Sequence, residues 1–201
     1  MRSRDEVYAE LFGEVLSVAP DSDDAVPHIE VRRYGIAVDD APVDVWVTFG
    51  MSDVAMEDDE GETLRRELIF YAAPGAFDYQ YGLHAIAHLP FENDTFLDFD
   101  HAVQLLGHFF VPGGLELLAE DAGDTVALPN VFLTDTPVGE HQRISELLTM
   151  LGDPVELLWV LPMSLAERDF LRTRGPDAFL ELLDERGHPF VFPEGGRVSY
   201  L

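Results

Sequence analysis

The sequence contains no cysteine, and this absence excludes several classes of protein at once. Without thiols the chain can form neither a disulfide framework nor a thiolate zinc site, and it has no cysteine nucleophile. Long apolar runs are also missing, since no stretch approaches the roughly 20 apolar residues that a membrane-spanning helix needs. Acidic residues interrupt the N-terminal apolar stretch, so it does not resemble a signal peptide. We therefore expect a cytoplasmic protein.

Lysine is absent as well, so every basic residue other than histidine is an arginine. Lys and Arg together number 12 against 39 Asp and Glu, which gives a formal net charge of −27 at pH 7. The negative electrostatic field of this charge repels phosphate backbones and anionic lipids, so we expect no nucleic acid or membrane partner. The same field attracts a basic protein. A proteome adapted to high salt, or one from a genome with a high GC content, is also acidic and poor in lysine, without any role for a partner. Both explanations of the charge stay open at this point.

The chain has 201 residues, of which 47% are apolar, and this suits one domain with a substantial core. The patterns below predict an α+β fold, with a mixed, mostly antiparallel sheet flanked by helices. We expect an N-terminal amphipathic helix and connector at residues 1–27, and a domain at 28–201 that forms one globular unit with this helix. The helix is predicted over Asp5–Val18, where apolar residues recur at spacings of three and four.

The central region alternates between strand patterns and polar loops. Alternating apolar residues predict strands at His28–Tyr34, Val43–Phe49 and Leu64–Ala72, and the acidic run Met51–Thr63 is predicted to be an exposed loop. A helix is predicted over Asp78–Leu89, where Pro90 is expected to end it. The further predictions are an irregular loop over 91–110, strands over 115–119 and 125–133, a helical turn within 144–151, and an edge strand from 190–192 and 198–201.

The most consistent local signals lie near the C-terminus. The apolar run Val155–Leu161 predicts an interior strand with both faces covered, which Pro162 is expected to end. Ser164 and Glu167 have the SxxE spacing of a capping box, so a helix is predicted to begin there. Gly175–Pro176 then separates it from a second helix, because glycine favours a helix end and proline fits the first position of the next helix.

Several motifs of the chain stand in a recognisable order. TFGMS follows a strand, RELIFYAAP and the aromatic-rich LPFENDTFLDFDH come next, and WVLPMSLAERDFLRTRGPDAFLELLDE lies near the end. In this order they resemble the suppressor of fused family, in its short single-domain bacterial form, over residues 29–185. The residues that carry the resemblance are Thr48, Gly50, Met51, Ser52, Glu67, Leu68, Pro162, Glu167 and Arg168.

The resemblance implies a mixed α/β fold that acts by binding proteins and has no known catalytic residues. Bacterial members resemble immunity proteins that block toxins, so neutralisation of a basic toxin is one implied role. The second lobe of the animal members has no counterpart in this chain, so their transcription-factor-binding cleft is not carried over. We expect a non-enzymatic protein-binding domain that needs no cofactor.

The alternative hypothesis is that the protein is a hydrolase, and a serine hydrolase is one form of it. The segment Gly50–Val54, with the sequence GMSDV, follows a predicted strand as the GxSxG nucleophile elbow does. The elbow needs both glycines for its tight turn into a helix, but Val54 occupies the second glycine position and an acidic loop follows. A turn that caps the end of a strand is therefore the preferred interpretation of Ser52, and we predict no catalytic residues.

A metal-dependent hydrolase is the other form of this alternative. His84 and His88 have the spacing that places two imidazoles on one helical face, as in HExxH zinc sites, but Ala85 stands where the catalytic glutamate would be. The candidates that would complete a ligand set are two carboxylates and a further histidine, namely Asp98, Asp100 and His101. Histidines at helical spacing are more often boundary residues, so we predict no bound metal.

Two clusters of carboxylates are the predicted surface for a basic partner. They lie in turns at strand ends, where side chains are exposed, and a partner would be steered to them by long-range attraction. One cluster is in the acidic loop after the second strand and the other is in the turn between the strands predicted over 115–119 and 125–133. Their members are Glu57, Asp58, Asp59 and Glu60, and Glu120, Asp121 and Asp124.

Overall fold

A seven-stranded sheet forms the centre of the computed structural model, which describes residues 2–22, 25–38, 40–74, 79–104, 130–193 and 199–201. In spatial order the strands are β1 (Val15–Ala19), β2 (Glu30–Val38), β3 (Ala41–Phe49), β6 (Arg66–Ala72), β11 (Glu156–Met163), β8 (Asn130–Asp135) and β7 (Ala102–Gln104). Two short hairpins stand beside it, formed by β4 (Met56–Glu57) with β5 (Thr63–Leu64) and by β9 (Thr149–Met150) with β10 (Asp153–Pro154).

The helices are α1 (Arg4–Phe12), α2 (Gln80–Asn93), α3 (Gly139–Gln142), α4 (Ile144–Leu147), α5 (Leu165–Arg174) and α6 (Pro176–Glu185). Within the sheet β6 and β11 are parallel, whereas every other neighbouring pair is antiparallel. This architecture confirms the predicted α+β domain with a mixed, mostly antiparallel sheet. No helix in the described part of the chain is long and apolar enough to cross a membrane.

Apolar side chains cover both faces of the sheet. On one face α2 contributes Leu83 and Ile86 to a core cluster that includes Leu68 and Phe70. On the other face, α1, α5 and α6 pack against the neighbouring strand residues, with Tyr71 among them. The central strand β6 is buried along its whole length, because its alternating side chains enter both clusters.

The C-terminal helices begin as predicted. The Ser164 hydroxyl accepts the Glu167 N–H over 3.1 Å, and the Glu167 carboxylate accepts the Ser164 N–H over 2.8 Å, which completes the capping box of α5. Gly175 has a φ of +86° between α5 and α6, and the first residue of α6 is Pro176. Phe179 and Leu183 are the buried residues of α6.

The predicted N-terminal helix is too long. Helix α1 ends at Phe12, because Gly13 adopts a φ of +81° that ends the helical path, and residues 15–19 then form the edge strand β1. Residues 1–27 therefore contain a strand of the central sheet in addition to the predicted helix and connector. The apolar residues Val15 and Leu16 continue the helical spacing by chance, since they belong to a strand that pairs with β2.

Two prolines were wrongly predicted to end their elements. Helix α2 continues through Pro90 to Asn93, and it ends at Asp94, whose φ of 51° is left-handed. Pro162 lies within β11, opposite Val131 of β8. The register of β11 with β6 runs from Glu156 to Trp159, so Pro162 lies beyond that pairing, toward the end of the strand, where proline is tolerated.

The remaining predictions have mixed outcomes. The irregular loop predicted over 91–110 begins with the last turn of α2 and includes β7, whereas residues 105–129, with the strand predicted at 115–119, lie outside the described residues. The strand predicted to end at Leu133 is β8, which extends to Asp135. Phe192 forms only an isolated bridge with Ala72, and residues 199–201 form no strand, so the predicted edge strand is wrong in the described part of that segment.

Candidate protein-binding site

The N-terminal motif residues of the resemblance meet around the carboxylate of Glu67. Its Oε1 accepts hydrogen bonds from the Gly50 N–H and the Ser52 N–H, both over 3.1 Å, and from the Ser52 hydroxyl over 2.7 Å. Its Oε2 accepts the Thr48 hydroxyl over 2.7 Å. Glu67 is fully buried, so these donors replace the water that a carboxylate otherwise needs.

The TFGMS turn is shaped to surround this carboxylate. Gly50 has a φ of +121°, and a Cβ added there would lie 2.2 Å from the carbonyl oxygen of His28. Only glycine fits this position, because any side chain would collide with the backbone and strain the turn. A short 3-10 turn over Met51–Asp53 follows and directs the Ser52 N–H and hydroxyl inward.

Ser52 therefore has a structural environment. The side chain is fully buried and bonded to Glu67, and no helix of the nucleophile-elbow type follows it. The interpretation of this segment as a turn that caps the end of β3 agrees with the structure. The Arg65 guanidinium donates to the Ser52 carbonyl over 2.6 Å and so joins the turn to the chain that enters β6.

Helix α1 completes the same network with two residues that the sequence analysis did not single out. Arg4 Nη2 donates to the Ser52 hydroxyl over 3.1 Å, and Arg4 Nε lies 3.9 Å from Glu67 Oε1. The Tyr8 hydroxyl donates to the carbonyl of Thr48 over 2.9 Å. The spacing of four between Arg4 and Tyr8 places them on one helical face, but it carries no information about which distant residues they contact.

Opposite charges stabilise the contact between α1 and the TFGMS turn. Burial alone lowers the pKa of Arg4, but the nearby carboxylates of Glu67 and Asp53 outweigh it and raise the pKa above its ordinary value. Arg4 thus remains a cation that offsets the buried charge of Glu67. Burial, and to a smaller extent the Glu67 charge, raises the pKa of Tyr8 well above its usual range, so its hydroxyl remains a hydrogen-bond donor.

The other residues of the resemblance also have structural roles. The Thr48 hydroxyl accepts the Leu68 N–H over 2.7 Å, and Met51 is fully buried. Near α5, the second carboxylate oxygen of Glu167 accepts the Tyr200 N–H over 3.0 Å, which holds the described C-terminal residues against the start of that helix. Arg168 lies at the surface, with Asp169 3.0 Å away. The motif residues therefore stabilise the fold at two separate places, the turn after β3 and the start of α5, and they do not form one recognition surface.

The first acidic cluster lies on the β4–β5 hairpin, directly after the buried turn. Glu57, Asp59 and Glu60 are exposed. Asp58 differs from them, because its carboxylate accepts the N–H groups of Glu60 and Glu62 over 2.9 and 2.8 Å and so closes the hairpin turn. The predicted loop thus exists as an ordered hairpin, and three of its four candidate carboxylates are exposed to a partner.

A cleft of about 430 Å³ adjoins this hairpin. It lies between the hairpin, the segment before β2 and the C-terminal end of α2. No local pattern in the sequence indicates this cleft, because it joins three separated segments. Glu57 of the acidic cluster forms part of its wall. The lining residues are Val26, Pro27, Val54, Ala55, Met56, Glu57, Pro90, Phe91, Asp94 and Thr95.

The second acidic cluster, Glu120, Asp121 and Asp124, lies outside the described residues. The residues considered as metal ligands are described, and they are divided among different contacts. The rings of His84 and His88 lie 6.4 Å apart on α2, and His88 Nε2 is 2.7 Å from Asp21. Elsewhere, Asp98 pairs with Arg66 over 2.8 Å. Among the described residues, no group of three or more acidic or histidine side chains is arranged to hold a metal ion.

A second buried polar group lies on the face of the sheet that α1 covers. The Tyr71 hydroxyl contacts Thr136 and lies 2.7 Å from His141 Nδ1, and the two rings are stacked. His141 is only 2% exposed, and this burial lowers its pKa to about 4, although a hydrogen bond with the Leu11 backbone opposes the shift. The imidazole is therefore neutral at pH 7. Burial also disfavours the charged form of Tyr71, which for a phenol means that its pKa is raised.

Comparison with known proteins identifies the family. The family model for the suppressor of fused protein (SUFU) matches residues 26–193 of the chain. The chain belongs to this family. A search of curated proteins finds no match for it. The matched region of this suppressor of fused domain includes Thr48, Gly50, Ser52 and Glu67 of the buried network, whereas Arg4 and Tyr8 lie before it.

Solved structures share the fold of this SUFU domain. A SUFU homologue from Neisseria gonorrhoeae superposes with a TM-score of 0.65 at 15% identity, covering 98% of this chain and 93% of that one. A chain of the Sufu–Fu complex gives 0.64 at 15% identity, with coverages of 97% and 88%. Drosophila Suppressor of Fused gives 0.59 at 15% identity and covers 85% of this chain, which spans 42% of that protein chain.

Proposed function

We propose that this SUFU domain is a non-enzymatic protein-binding domain that recognises a basic partner through the exposed carboxylates of the β4–β5 hairpin. The observation that carries the proposal is the position of Glu57, Asp59 and Glu60, which are exposed on an ordered hairpin beside a cleft of about 430 Å³. A concave surface next to fixed charge is typical of a recognition site. A chain of the Sufu–Fu complex has the same fold, and the name of that complex describes an assembly with another protein.

The distribution of arginines supports a basic partner. Among the described residues, seven arginines form ion pairs within the chain, namely Arg2, Arg4, Arg32, Arg33, Arg65, Arg66 and Arg168. None of the ion pairs among the described residues involves Glu57, Asp59 or Glu60. The hairpin charge is therefore not compensated there by a neighbouring arginine, and it attracts a cationic surface over about one Debye length, roughly 8 Å at physiological salt.

The non-enzymatic part of the proposal rests on the residues that a hydrolase would need. Ser52 is fully buried and hydrogen-bonded to a carboxylate that also accepts backbone N–H groups, so a substrate has no access to its hydroxyl. His84 and His88 share a helical face, but His88 is engaged with Asp21, and the carboxylates proposed as further ligands lie after the end of α2. These contacts favour binding over hydrolysis.

The proposed biological role is that of an immunity protein, which neutralises a basic toxin by covering its functional surface. Complexes of this kind combine rapid electrostatic steering with a buried contact, because a toxin must be captured quickly and held firmly. The acidic hairpin and the adjacent cleft supply these two elements side by side. The role predicts that the bound partner inhibits growth when it is expressed alone and is tolerated when it is co-expressed with this domain.

The test uses two variants with the same change in charge. In the first, Glu57→Gln, Asp59→Asn and Glu60→Gln neutralise the hairpin, and Asp58 is kept because it closes the turn. In the matched control, Glu181→Gln, Asp184→Asn and Glu185→Gln remove three exposed carboxylates from α6. Each protein is used to capture partners from native lysate at low salt, and mass spectrometry identifies what the wild type and the control retain but the hairpin variant loses.

The purified partner then gives the decisive measurement. We expect the hairpin variant to associate severalfold more slowly, with little change in the dissociation rate, because a rim charge acts mainly during the encounter. The α6 control should associate at nearly the wild-type rate. Equal association rates for the hairpin variant and the α6 control would refute the proposed site. A partner that does not inhibit growth would refute the immunity role while leaving protein binding intact.

A further inference from the structure

We propose that the cleft beside the acidic hairpin binds the side chain of an arginine that projects from the partner protein. This inference rests on the proposed function, and it adds which part of the partner is recognised and by which residues. The site is a groove whose lining combines apolar side chains with the carboxylates of Glu57 and Asp94. An arginine has a matching division, because its aliphatic stem packs on apolar surface while its guanidinium remains cationic.

The walls of the cleft leave apolar surface uncovered within the described part of the chain. Val26 is 81% exposed and Val54 is 39% exposed, whereas Met56, with 4% exposure, belongs to the core below them. Phe91, at the end of α2, contributes a half-buried aromatic ring. The volume of about 430 Å³ lies within the range of sites that enclose a small ligand, so one long side chain and part of its neighbours fit.

The charges of the cleft select the kind of side chain. Glu57 on the hairpin and Asp94 after α2 both line it and are exposed, and no ion pair among the described residues involves either of them. The C-terminal end of α2 also faces this region, and its last turn contains no basic residue. A helix C-terminus carries partial negative charge from its carbonyl groups, so it attracts a cation. An uncharged apolar side chain would leave these groups without compensation.

Arginine fits this arrangement better than the other candidates. Its guanidinium is planar, pairs with carboxylates through two N–H groups and stacks on an aromatic ring, and Glu57, Asp94 and Phe91 provide these contacts in one cleft. Lysine offers a point charge without the planar surface. A second copy of this chain is disfavoured as the occupant, because each copy carries a formal net charge of −27.

The experiment titrates the full chain with a small probe and follows backbone amide resonances by NMR. The probe is N-acetyl-arginine methylamide, and its uncharged matched control is the citrulline analogue, with the lysine analogue as a third arm. We expect saturable shifts at residues 54–57 and 91–95 with the arginine probe, smaller shifts with lysine and none with citrulline. The variant Glu57→Gln with Asp94→Asn should bind the arginine probe about tenfold more weakly, since two charge-assisted contacts are lost.

Asparagine tolerates the left-handed backbone of Asp94, so this variant keeps the local conformation. Glu181→Gln with Asp184→Asn is the control, and it should leave the shifts unchanged. Equal shifts with citrulline or lysine, or shifts spread over the whole acidic surface, overturn the inference. If the probe fails while the hairpin variant still loses the partner, only the arginine site is wrong. If the probe binds but partner capture does not depend on the hairpin, the proposed function is wrong.

Discussion

Thr48 and Glu67 are joined side chain to side chain between the neighbouring strands β3 and β6. The Thr48 hydroxyl donates to Glu67 Oε2 over 2.7 Å, and the hydroxyl oxygen of Thr48 accepts the Leu68 N–H over 2.7 Å. Because its proton is directed to Glu67, the hydroxyl acts as donor and acceptor at once, and the carboxylate acts as acceptor only. Thr48, Gly50, Ser52 and Glu67 thus meet in one buried polar network.

We predict that Glu67→Gln destabilises the protein by about 3 kcal/mol, in the range seen when one partner of a buried charged network is removed. The amide keeps the shape of the carboxylate, but it places an N–H₂ donor where the surrounding groups are themselves donors. It also removes one of the two carboxylates that compensate the charge of Arg4, so that only Asp53 remains. Urea denaturation measures the change. Glu62→Gln on the exposed hairpin is the control and should change stability by less than about 0.5 kcal/mol. A loss below about 1 kcal/mol for Glu67→Gln would show that the network contributes little.

A pair of glycine substitutions tests the shape of the TFGMS turn. Both Gly50 and Gly61 have positive φ, so alanine at either position carries the strain of a left-handed backbone, typically about 1 kcal/mol. At Gly50 the new Cβ would also meet the His28 carbonyl at 2.2 Å, whereas nothing lies within 4 Å at Gly61. We therefore expect Gly50→Ala to lower the Tm far more than Gly61→Ala. Equal decreases would mean that the turn and residue 28 can separate without cost.

Local features of the fold were predictable from the sequence because their causes are local. The capping box of α5 needs only Ser164 and Glu167 three residues apart, and both of its hydrogen bonds are present. The end of α1 was missed, although Gly13 marks it, because the apolar spacing continues into β1. Pro162 was misread because the tolerance of a strand for proline depends on which of its sides is paired, and the sequence does not show this.

The candidate site was predictable only in part, because it is built from contacts between distant segments. The exposed carboxylates of the hairpin followed from composition and turn propensity. The contact of Arg4 with Ser52 joins residues 48 positions apart, and the cleft joins three segments, so no local pattern indicates either. The network also explains why the motif residues resembled a functional site. Buried polar residues at fixed spacing produce the same pattern whether they act in catalysis or in folding.

The buried His141 predicts a loss of stability in mild acid. Its pKa is about 4 in the folded protein and about 6.5 when unfolded, so the unfolded state binds more protons between these values. The contribution of His141 is complete above pH 6.5 and is lost as the pH falls toward 4. We expect this residue alone to remove about 2 kcal/mol of unfolding free energy between pH 7 and pH 5.

Comparison with a variant separates this effect from the many carboxylates. His141→Gln cannot titrate, and its amide can still accept a hydrogen bond from Tyr71, so it should be less stable than the wild type at pH 7 but lose less stability between pH 7 and pH 5. Urea denaturation at pH 7, 6 and 5 gives both curves. Parallel curves for the two proteins would show that the histidine is solvated or already protonated in the folded state.

The last prediction separates the two explanations of the acidic charge, and it concerns the salt dependence of the Tm. If the excess of acidic residues serves to attract a partner, the fold must be stable in dilute salt despite its net charge of −27. The network around Glu67 and the internal arginine pairs must then remain intact at low salt. We then expect a modest rise of the Tm with potassium chloride that levels off below about 0.5 M, where the Debye length is already only a few ångströms and exposed repulsion is screened.

Adaptation to a saline cell interior predicts a different curve, because stability would depend on molar salt well after simple screening is complete. Neutralising Glu57, Asp59 and Glu60 gives a second readout. If repulsion among exposed carboxylates limits stability, both this variant and the Glu181, Asp184 and Glu185 control should raise the Tm at low salt, and the two rises should disappear together in high salt. A Tm that climbs steeply into the molar range would remove the charge as an argument for a basic partner. Membership of the suppressor of fused family would stand, since it depends on the match over residues 26–193 and not on charge.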